Sequence, residues 1–326
     1  MQVSGEMKRK KIVVLGTGGT IAGTAAQAGD NLGYTAAQVG IEQLVAELPA
    51  LADGGCELLS EQVAQVDSKD MDFGIWRALA QRVAHWLAQE EVQGIVITHG
   101  TDTLEETAFF LQALLDPAKP VVLTCAMRPA TASAPDGPQN MLDAVAVASH
   151  AGARGVVAVC AGVVHSAFDV QKVHTYRLDA FSSGDAGPLG YVEEGGLRLL
   201  RNWPSDQAGQ AQAAVKIVAS GAGDRPWPRV EIVMNYAGAD GRAVRALVAD
   251  GVQGLVVAGT GNGTLHHALE AALLAAQAGG VRVVRATRCL DGRVLPKAGD
   301  VLADSQGLSP VKARVALLLA LLASAH

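Results

Sequence analysis

Residues Gly16–Gly23 read Gly-Thr-Gly-Gly-Thr-Ile-Ala-Gly and follow directly on the apolar run Ile12–Leu15. A second run, Thr98–Thr103 (Thr-His-Gly-Thr-Asp-Thr), follows another short apolar stretch in the same way. Continuous apolar runs of this length are typical of strands buried on both faces of a parallel sheet. Parallel strands share one carboxyl edge, where ligands of open α/β sheets bind. The pattern therefore predicts that Thr20 and Thr101 meet over one pocket.

Outward from these runs, apolar strands alternate with amphipathic helices, which predicts parallel sheets with crossover helices. A helix is expected over Leu104–Leu115, because Thr103 and Glu106 have the spacing of a reciprocal capping box and Asp116-Pro117 ends the pattern. The other elements predicted for the first half are helices near residues 41–48, 73–89 and 140–150 and strands at 94–98, 121–125 and 156–160.

Residues 201–228 are rich in Gln, Ala, Gly, Asp and Pro, which marks them as a linker candidate. Beyond them the alternation restarts, and a last helix is expected to begin with Ser309 as its cap and Pro310 at its first position. We therefore predict an α/β protein of two domains. The larger N-terminal catalytic domain has a flavodoxin-like, mostly parallel sheet, and the smaller C-terminal domain is Rossmann-like. The predicted bounds are 1–205, a linker over 206–227, and 228–326.

The composition argues against several kinds of protein. A net charge of −6 and an aromatic content of 4% do not favour a nucleic-acid partner, which requires basic surface and stacking platforms. The four cysteines are far apart and lack metal-ligand spacing. We expect them to be buried, reduced thiols of a cytoplasmic protein. They are Cys56, Cys125, Cys160 and Cys289.

The N-terminus has some features of a secretory signal, with basic residues at Lys8–Lys11 before an apolar run. The run is interrupted at Thr17 before it reaches the seven or so apolar residues that a signal requires. The C-terminal run Val315–Ala323 is far shorter than the roughly 18 residues of a membrane span. The sequence thus predicts a cytoplasmic protein with no membrane partner.

A threonine hydroxyl is too weakly acidic to attack an amide unaided, so it needs a base or a hydrogen-bonded relay. Tyr34 lies in the same loop region as Thr20, in a Gly- and Ala-rich segment that is able to close as a lid. Asp102 adjoins Thr101, and Lys172 is the candidate lysine that would approach both. Backbone N–H groups of the glycine-rich strand ends can serve as an oxyanion hole. This constellation favours an amidohydrolase with a threonine nucleophile.

The two runs, Gly16–Gly23 and His99–Thr107, resemble the signatures of the bacterial-type L-asparaginases in the asparaginase/glutaminase family. Both occur in the expected order, and the resemblance covers nearly the whole chain. It implies hydrolysis of L-asparagine, a small-molecule substrate, to L-aspartate and ammonia without a metal or organic cofactor. Further segments similar to family blocks are Ala126–Pro129, Asp136–Pro138, Gly187–Tyr191 and Gly259–Gly263.

The resemblance also implies roles for individual residues. Thr20 would attack the side-chain amide carbon, with Tyr34 hydrogen-bonded to it. Thr101, Asp102 and Lys172 would form a second triad that polarises water or Thr101.

The implied substrate contacts surround these threonines. Asp102 would hold the α-ammonium group, Ser68 the α-carboxylate, and the backbone at Ala126 the leaving amide nitrogen. Asn262 would reach the site of a neighbouring subunit, which implies a homo-oligomer: a tetramer or a dimer of intimate dimers. The implied substrate-binding residues are Ser68, Lys69, Gly100, Asp102, Ala126 and Asn262.

The chain departs from the family pattern in two places. Lys69 stands where many relatives have glutamine beside the α-ammonium pocket, and a cation there would repel the substrate unless it turns away or pairs with Asp67 or Asp70. Many relatives also supply a glutamate from the neighbour's second domain. Here Arg282–Gly299 contains Asp291 as its only acid, so that role stays unassigned.

Three alternatives stand beside this interpretation. The glycines could shape a dinucleotide-binding turn, but Ile21 occupies the position of the third glycine. A glutaminase-asparaginase is the alternative nearest to an asparaginase, because glutamine is longer than asparagine by one methylene and pockets discriminate one methylene by only about 1–3 kcal/mol. A non-catalytic amino-acid-binding protein would have no use for two threonines at adjacent strand ends. His99 is expected to pack or hydrogen-bond at its strand end.

Overall fold

The computed structural model describes residues 10–27, 29–49, 56–204 and 226–324. These residues form two compact units. The first takes the described residues up to 204 except 184–186, and the second takes 184–186 and the residues from 226 onward. Each unit has its own mostly or wholly parallel sheet. The predicted α/β class is thus confirmed.

The first unit is built on one eight-stranded sheet in the order β12-β11-β8-β7-β6-β5-β1-β4. Strands β4, β1, β5, β6 and β7 are parallel, and in chain order they give the sequence 2-1-3-4-5 of flavodoxin-like folds. Strands β8, β11 and β12 extend the sheet in antiparallel fashion. The strands are β1 Lys11–Gly18, β4 Glu57–Val66, β5 Val92–Thr98, β6 Pro120–Thr124, β7 Gly155–Cys160, β8 Val163–Ser166, β11 Gly190–Glu193 and β12 Gly196–Leu199.

Two short hairpins stand outside this sheet. Strands β2 Thr24–Ala25 and β3 Tyr34–Thr35 form the first, and β9 Gln171–Lys172 and β10 Phe181–Ser182 form the second. The helices of the unit are α1 Ile41–Ala46, α2 Phe73–Leu87, α3 Leu104–Leu115 and α4 Gly137–Ser149.

The apolar runs of the sequence form buried strands in the core of the first unit, which is why the sequence pattern identified them. Strand β1 is buried from Ile12 onward, and β6 and β7 are buried along their whole length. Each fully buried aliphatic side chain contributes about 1.5–3 kcal/mol relative to exposure. One cluster joins the sheet to α4 through Ile12, Val14, Val96, Val122, Val157, Met141, Ala144, Val147 and Ala148.

The second unit has a parallel sheet in the order β13-β14-β15-β16. Its first three strands and their two crossover helices form a β-α-β-α-β unit, as in half of a Rossmann fold. The elements are β13 Val230–Met234, α5 Arg242–Ala249, β14 Gly254–Gly259, α6 His267–Ala278, β15 Arg282–Thr287, β16 Ala303–Asp304 and α7 Pro310–Ser324.

Strand β4 was not predicted. It lies at the edge of the sheet and has no fully buried residue, so its polar residues hide the apolar signal. The bounds of α3 are confirmed, but its capping box is not formed. Thr103 makes no side-chain cap; its hydroxyl donates to the carbonyl of Ser68 at 2.8 Å. Most of the predicted linker falls on 205–225, outside the described residues.

All four cysteines are free, and two of them, Cys125 and Cys160, are buried with their Sγ atoms 3.1 Å apart. The expected burial is wrong for Cys289, which is exposed because it follows the end of β15, and Cys56 is half-buried. A bilayer-spanning helix does not occur in the part of the chain that the structure describes.

Candidate active site

The two glycine loops meet at the carboxyl edge of the larger sheet. Strands β1 and β5 are hydrogen-bonded neighbours, and each loop begins where its strand ends. Gly19 has a φ of +82°, and a Cβ atom on it would lie 2.4 Å from both the Cα and the N of Gly100. A Cβ atom on Gly100 would lie 2.4 Å from Oγ of Ser68. The backbones therefore pack so closely that neither glycine leaves room for a side chain.

The first predicted pair, Thr20 and Tyr34, is in direct contact. Thr20 begins a single turn of 3-10 helix after β1 and is 7% exposed. The β2–β3 hairpin returns the chain so that the Tyr34 Oη lies 2.8 Å from Thr20 Oγ1. The backbone N–H of Gly23 donates to the Thr20 carbonyl at 2.8 Å and closes this turn. A hydroxyl relay to Thr20 is thus present.

The second predicted group, Thr101, Asp102 and Lys172, is also assembled. Lys172 lies on the β9–β10 hairpin, and its Nζ donates to Thr101 Oγ1 at 2.8 Å and to Asp102 Oδ1 at 2.5 Å. Thr101 is buried, whereas half of the Asp102 side chain is exposed. The backbone N–H of Lys172 also donates to Glu105 at 3.3 Å. Sequence reasoning missed this Glu105 contact, because nothing in its spacing distinguishes it from other acids in the first turn of a helix.

Ser68 lies in a short 3-10 helix after β4 and ties that loop to the second motif. Its Oγ accepts from the backbone N–H of Asp102 at 3.1 Å, and its carbonyl accepts from Thr103. The side chain is 2% exposed. Ser68 therefore lies beside Gly100 and Asp102.

Lys69 turns to the acids beside it. Its Nζ lies 2.7 Å from Asp67 Oδ2 and 3.0 Å from Asp70 Oδ2, and 61% of its side chain is exposed. The hydrogen bonds to Asp67 and Asp70 raise the pKa of the ammonium group above its usual value. The lysine is thus paired with two carboxylates that are its near neighbours in sequence.

Ala126 follows β6, the neighbour of β5, and is fully buried. Two polar side chains to which the sequence analysis assigned no role hold this segment. Asp136 accepts from the backbone N–H groups of Met127 at 2.9 Å and Arg128 at 3.0 Å. Asn140 donates through Nδ2 to the carbonyl of Cys125 at 2.9 Å. The only sequence signal was the Asp-Gly-Pro block at 136–138.

His99, the first residue after β5, is completely buried. Its Nδ1 donates to the carbonyl of Gly100 at 2.7 Å, as expected for a histidine that hydrogen-bonds at a strand end. Burial lowers the pKa of His99 to about 4. The ring is therefore neutral at physiological pH and takes no proton from solvent there.

Asn262 lies in the second unit, in the turn after β14. Its Nδ2 donates to the carbonyl of Leu295 at 3.0 Å, and its Oδ1 accepts from the backbone N–H of Leu295 at 2.7 Å. Both amide groups are thus engaged in joining two loops of the same unit. Among the described residues, His, Cys, Asp and Glu side chains form no group of three or more suited to a metal ion.

The sequence matches the family model "Asparaginase, N-terminal" over residues 11–205 and "Glutaminase/Asparaginase C-terminal domain" over residues 229–325. The chain belongs to the asparaginase family. The family predicted from the two glycine runs is confirmed, and the matched ranges cover both units of this asparaginase-family protein.

Curated relatives extend over nearly the whole chain. The L-asparaginase 2 of Escherichia coli (strain K12) is 38% identical over 95% of this chain and 88% of its own length. The glutaminase-asparaginase of Pseudomonas fluorescens biotype A is 36% identical over 98% of this chain and 88% of its own. The crystal structure of a probable cytoplasmic L-asparaginase from Campylobacter jejuni is similar with a TM-score of 0.89 and 38% identity, over 96% of this chain and 95% of that one.

Proposed function

We propose that this asparaginase-family protein hydrolyses L-asparagine to L-aspartate and ammonia, with Thr20 as the nucleophile. The observation that carries the proposal is a pair of buried hydroxyls at neighbouring strand ends, each hydrogen-bonded to a second polar side chain. Thr20 contacts Tyr34 at 2.8 Å, and Thr101 contacts Lys172 at 2.8 Å. The similarity to proteins named L-asparaginase and glutaminase-asparaginase supports the same activity.

In the first half of the proposed reaction, Thr20 Oγ1 attacks the carbon of the side-chain amide. Its proton passes along the hydrogen bond to Tyr34 Oη while the tyrosine releases its own proton to the amide nitrogen, because an unaided threonine is too weak a nucleophile. Backbone N–H groups at the glycine-rich strand ends would stabilise the oxyanion, a contribution of about a hundredfold to a thousandfold per donor. The C–N bond then breaks, ammonia leaves with one added proton, and an acyl ester remains on Thr20.

In the second half, water attacks the ester carbon and regenerates the Thr20 hydroxyl. The Lys172 ammonium beside Thr101 and Asp102 would polarise that water or the Thr101 hydroxyl. A positive charge in a partly buried site stabilises developing negative charge more strongly than it would in water. The product is L-aspartate.

The substrate's α-amino acid groups have candidate partners at the same edge. Asp102 is half exposed and would hold the α-ammonium group, and Ser68 beside it would hold the α-carboxylate. The backbone of Gly100, which lies beside both residues, would also contact the substrate. The carbonyl of Ala126 would accept a hydrogen bond from the nitrogen of the substrate's side-chain amide. Lys69 would stay outside this set, because two carboxylates already bind its ammonium group.

A glutaminase-asparaginase is the second candidate, favoured by the 36% identity to a protein of that name over 98% of this chain. Glutamine is longer by one methylene, which a pocket discriminates by only about 1–3 kcal/mol. Comparable kcat/KM values for L-glutamine and L-asparagine would establish this alternative.

The experiment is ammonia release from L-asparagine, L-glutamine and both D-isomers by the purified protein. Thr20→Ala and Thr101→Val should each lower kcat for L-asparagine more than a hundredfold while circular dichroism stays unchanged. Thr175→Val is the matched control, because Thr175 is exposed on a loop and should leave kcat intact. If either variant kept more than about a tenth of the parent kcat, a loss of under 1.4 kcal/mol, its proposed role would be wrong.

We further propose that the protein is a homo-oligomer, most simply a tetramer, in which the Asn262 loop contributes to a neighbouring site. Light scattering gives the assembly size. Inactive Thr20→Ala subunits and inactive Asn262→Asp subunits should recover part of the activity when mixed under exchange conditions. If verified hybrid oligomers stayed inactive, Asn262 would have no part in a neighbouring site, and only its hydrogen bonds to Leu295 would remain as its role.

We propose a cytoplasmic location, as in the name of the Campylobacter jejuni protein. Fractionation of the source cells should then recover the protein with a cytoplasmic marker, and recovery with the periplasmic fraction would refute this proposal.

A further inference from the structure

The hairpin that carries Tyr34 is too short to hold its own conformation. It consists of two residue pairs, Thr24 with Thr35 and Ala25 with Tyr34. Two-stranded hairpins are marginally stable at best in water even when longer. The Tyr34 hydroxyl can stay at 2.8 Å from Thr20 only if other parts of the molecule fix the hairpin.

The base of the hairpin is fixed by the backbone. The Ala37 N–H donates to the Gly19 carbonyl at 3.0 Å, and the Val39 N–H donates to the Ala22 carbonyl at 2.9 Å. At its far end, Asp30 accepts from Leu32 and Gly33, which shapes the turn locally. Neither set of bonds reaches the paired residues Ala25 and Tyr34.

Thr131 supplies the contact at that level. Its Oγ1 accepts from the backbone N–H of Ala25 at 2.9 Å, and its carbonyl accepts from the N–H of Gly29 at 3.4 Å. Next to it, the Ala130 N–H donates to the carbonyl of Gly23 at 2.9 Å. Ala25 is the residue that pairs with Tyr34, so the Thr131 hydroxyl holds the strand directly beside the tyrosine.

The loop that carries Thr131 is itself rigidly held. Asp136 accepts two backbone N–H groups at its start, and the Arg128 guanidinium donates to the carbonyl of Ala134 at 3.2 Å across it. The Ala132 N–H donates to the Pro129 carbonyl at 3.0 Å. This loop follows β6 and continues from Ala126, so it joins one side of the candidate site to the hairpin on the other.

We infer that the Thr131 hydroxyl is a positioning group: it latches the β2–β3 hairpin to the loop after β6 and thereby holds the Tyr34 hydroxyl against Thr20. The catalytic part of this inference rests on the proposed function. Thr131 acts through Tyr34 and does not itself touch Thr20. Through this hydrogen bond, the conformation of the hairpin depends on the conformation of the loop that begins at Ala126.

The test compares Thr131→Val, which keeps the branched shape and removes the hydroxyl, with Thr131→Ser, which keeps it. Thr175→Val is the matched control, because it makes the same change at an exposed threonine on another loop. The first measurement is amide hydrogen exchange of peptides covering residues 24–35. Exchange should be about threefold to tenfold faster in Thr131→Val, the effect of one hydrogen bond, and unchanged in the other two.

The second measurement is kcat for L-asparagine. Thr131→Val should lower kcat about threefold to tenfold with little change in KM, and Thr131→Ser should restore it. In a Tyr34→Phe background, Thr131→Val should have less than about a twofold effect on kcat, because residues that act through one another are not additive.

Unchanged hairpin exchange in Thr131→Val would overturn the latch. Faster exchange with an unaltered kcat, or an equal loss of kcat in the Tyr34→Phe background, would overturn its positioning role. An inactive parent protein would refute the proposed function alone, since the exchange comparison still decides whether the latch exists.

Discussion

Gly19 and Gly100 meet backbone to backbone: a Cβ atom on Gly19 would lie 2.4 Å from the Cα and from the N of Gly100. The contact brings together the loops that carry Thr20 and Thr101, which are 81 residues apart in sequence. A buried hydrogen bond from Thr17 Oγ1 to the Thr98 carbonyl at 2.8 Å supports it one step earlier along the same two strands. The Thr20 and Thr101 hydroxyls therefore come together only because Gly19 and Gly100 have no side chains.

Gly19→Ala should destabilise the fold and abolish activity, because alanine adds both the clash and a strained φ of +82°. Gly152→Ala is the matched control, with a φ of +84° and no atom within 4 Å of the added Cβ. The control should cost about 1–2 kcal/mol from the backbone alone. Urea unfolding measures both, and equal losses for the two variants would contradict the packing argument.

Lys172→Met should lower kcat about a hundredfold or more and change the unfolding midpoint little, because the ammonium acts on Thr101 and Asp102. Lys119→Met should lower the unfolding midpoint and change kcat little. The Nζ of Lys119 donates to the carbonyls of Leu87 and Gln89 at 3.0 and 2.7 Å, so that lysine ties α2 to the chain before β6. Steady-state kinetics and thermal unfolding of both variants test this pair, and full activity in Lys172→Met would refute the proposed catalytic role of Lys172.

Lys69→Gln should leave KM for L-asparagine within about twofold of the parent, because both neighbouring carboxylates already bind the ammonium group. A lysine that faced the substrate's α-ammonium would instead raise KM, and its removal would lower KM about tenfold or more. Initial rates at low ionic strength, where charge effects are largest, separate these two results.

The free energy of unfolding should rise with pH between about 4 and 6.5 because of His99. Its folded-state pKa is about 4, below the ordinary histidine pKa of 6.5, so in this window the unfolded chain binds a proton that the folded protein does not. This stability is present above pH 6.5 and is lost as the pH falls toward 4. Urea titrations at several pH values measure the slope.

His99→Gln should flatten that slope, since glutamine does not titrate and can still donate to the Gly100 carbonyl. His85→Gln, which replaces an exposed histidine at the end of α2, is the control and should keep the parent slope. A His99 variant with the parent's slope would assign the pH dependence to other groups.

The elements that could be predicted from sequence are those buried on both faces. Strands β1 and β6 are continuous apolar runs, and their burial is what makes them readable. Strand β4 escaped notice because it lies at the edge of the sheet and none of its residues is fully buried. Its Glu61 is held by the Arg82 guanidinium, which also keeps the pKa of that carboxyl below its usual value.

The candidate site was predictable where it follows strand ends and much less so where it depends on tertiary hydrogen bonds. Thr20 and Thr101 come from neighbouring parallel strands, so their meeting follows from topology. Lys172 arrives on a short hairpin that no periodicity reveals. Its residue type made it a candidate, and the family resemblance gave it a role. The Thr103 hydroxyl was misassigned because a tertiary acceptor, the Ser68 carbonyl, takes the place of the local cap.

The order of the large sheet sets a scale for the substrate. Ser68, Thr20, Thr101 and Ala126 follow β4, β1, β5 and β6, which are four consecutive neighbours. Adjacent strands lie about 4.8 Å apart, whereas one methylene lengthens a side chain by no more than about 1.5 Å. One methylene is about a third of the distance between adjacent strands, so the spacing of the strands does not by itself distinguish asparagine from glutamine. Any selectivity between the two substrates must come from the loops that follow the strands.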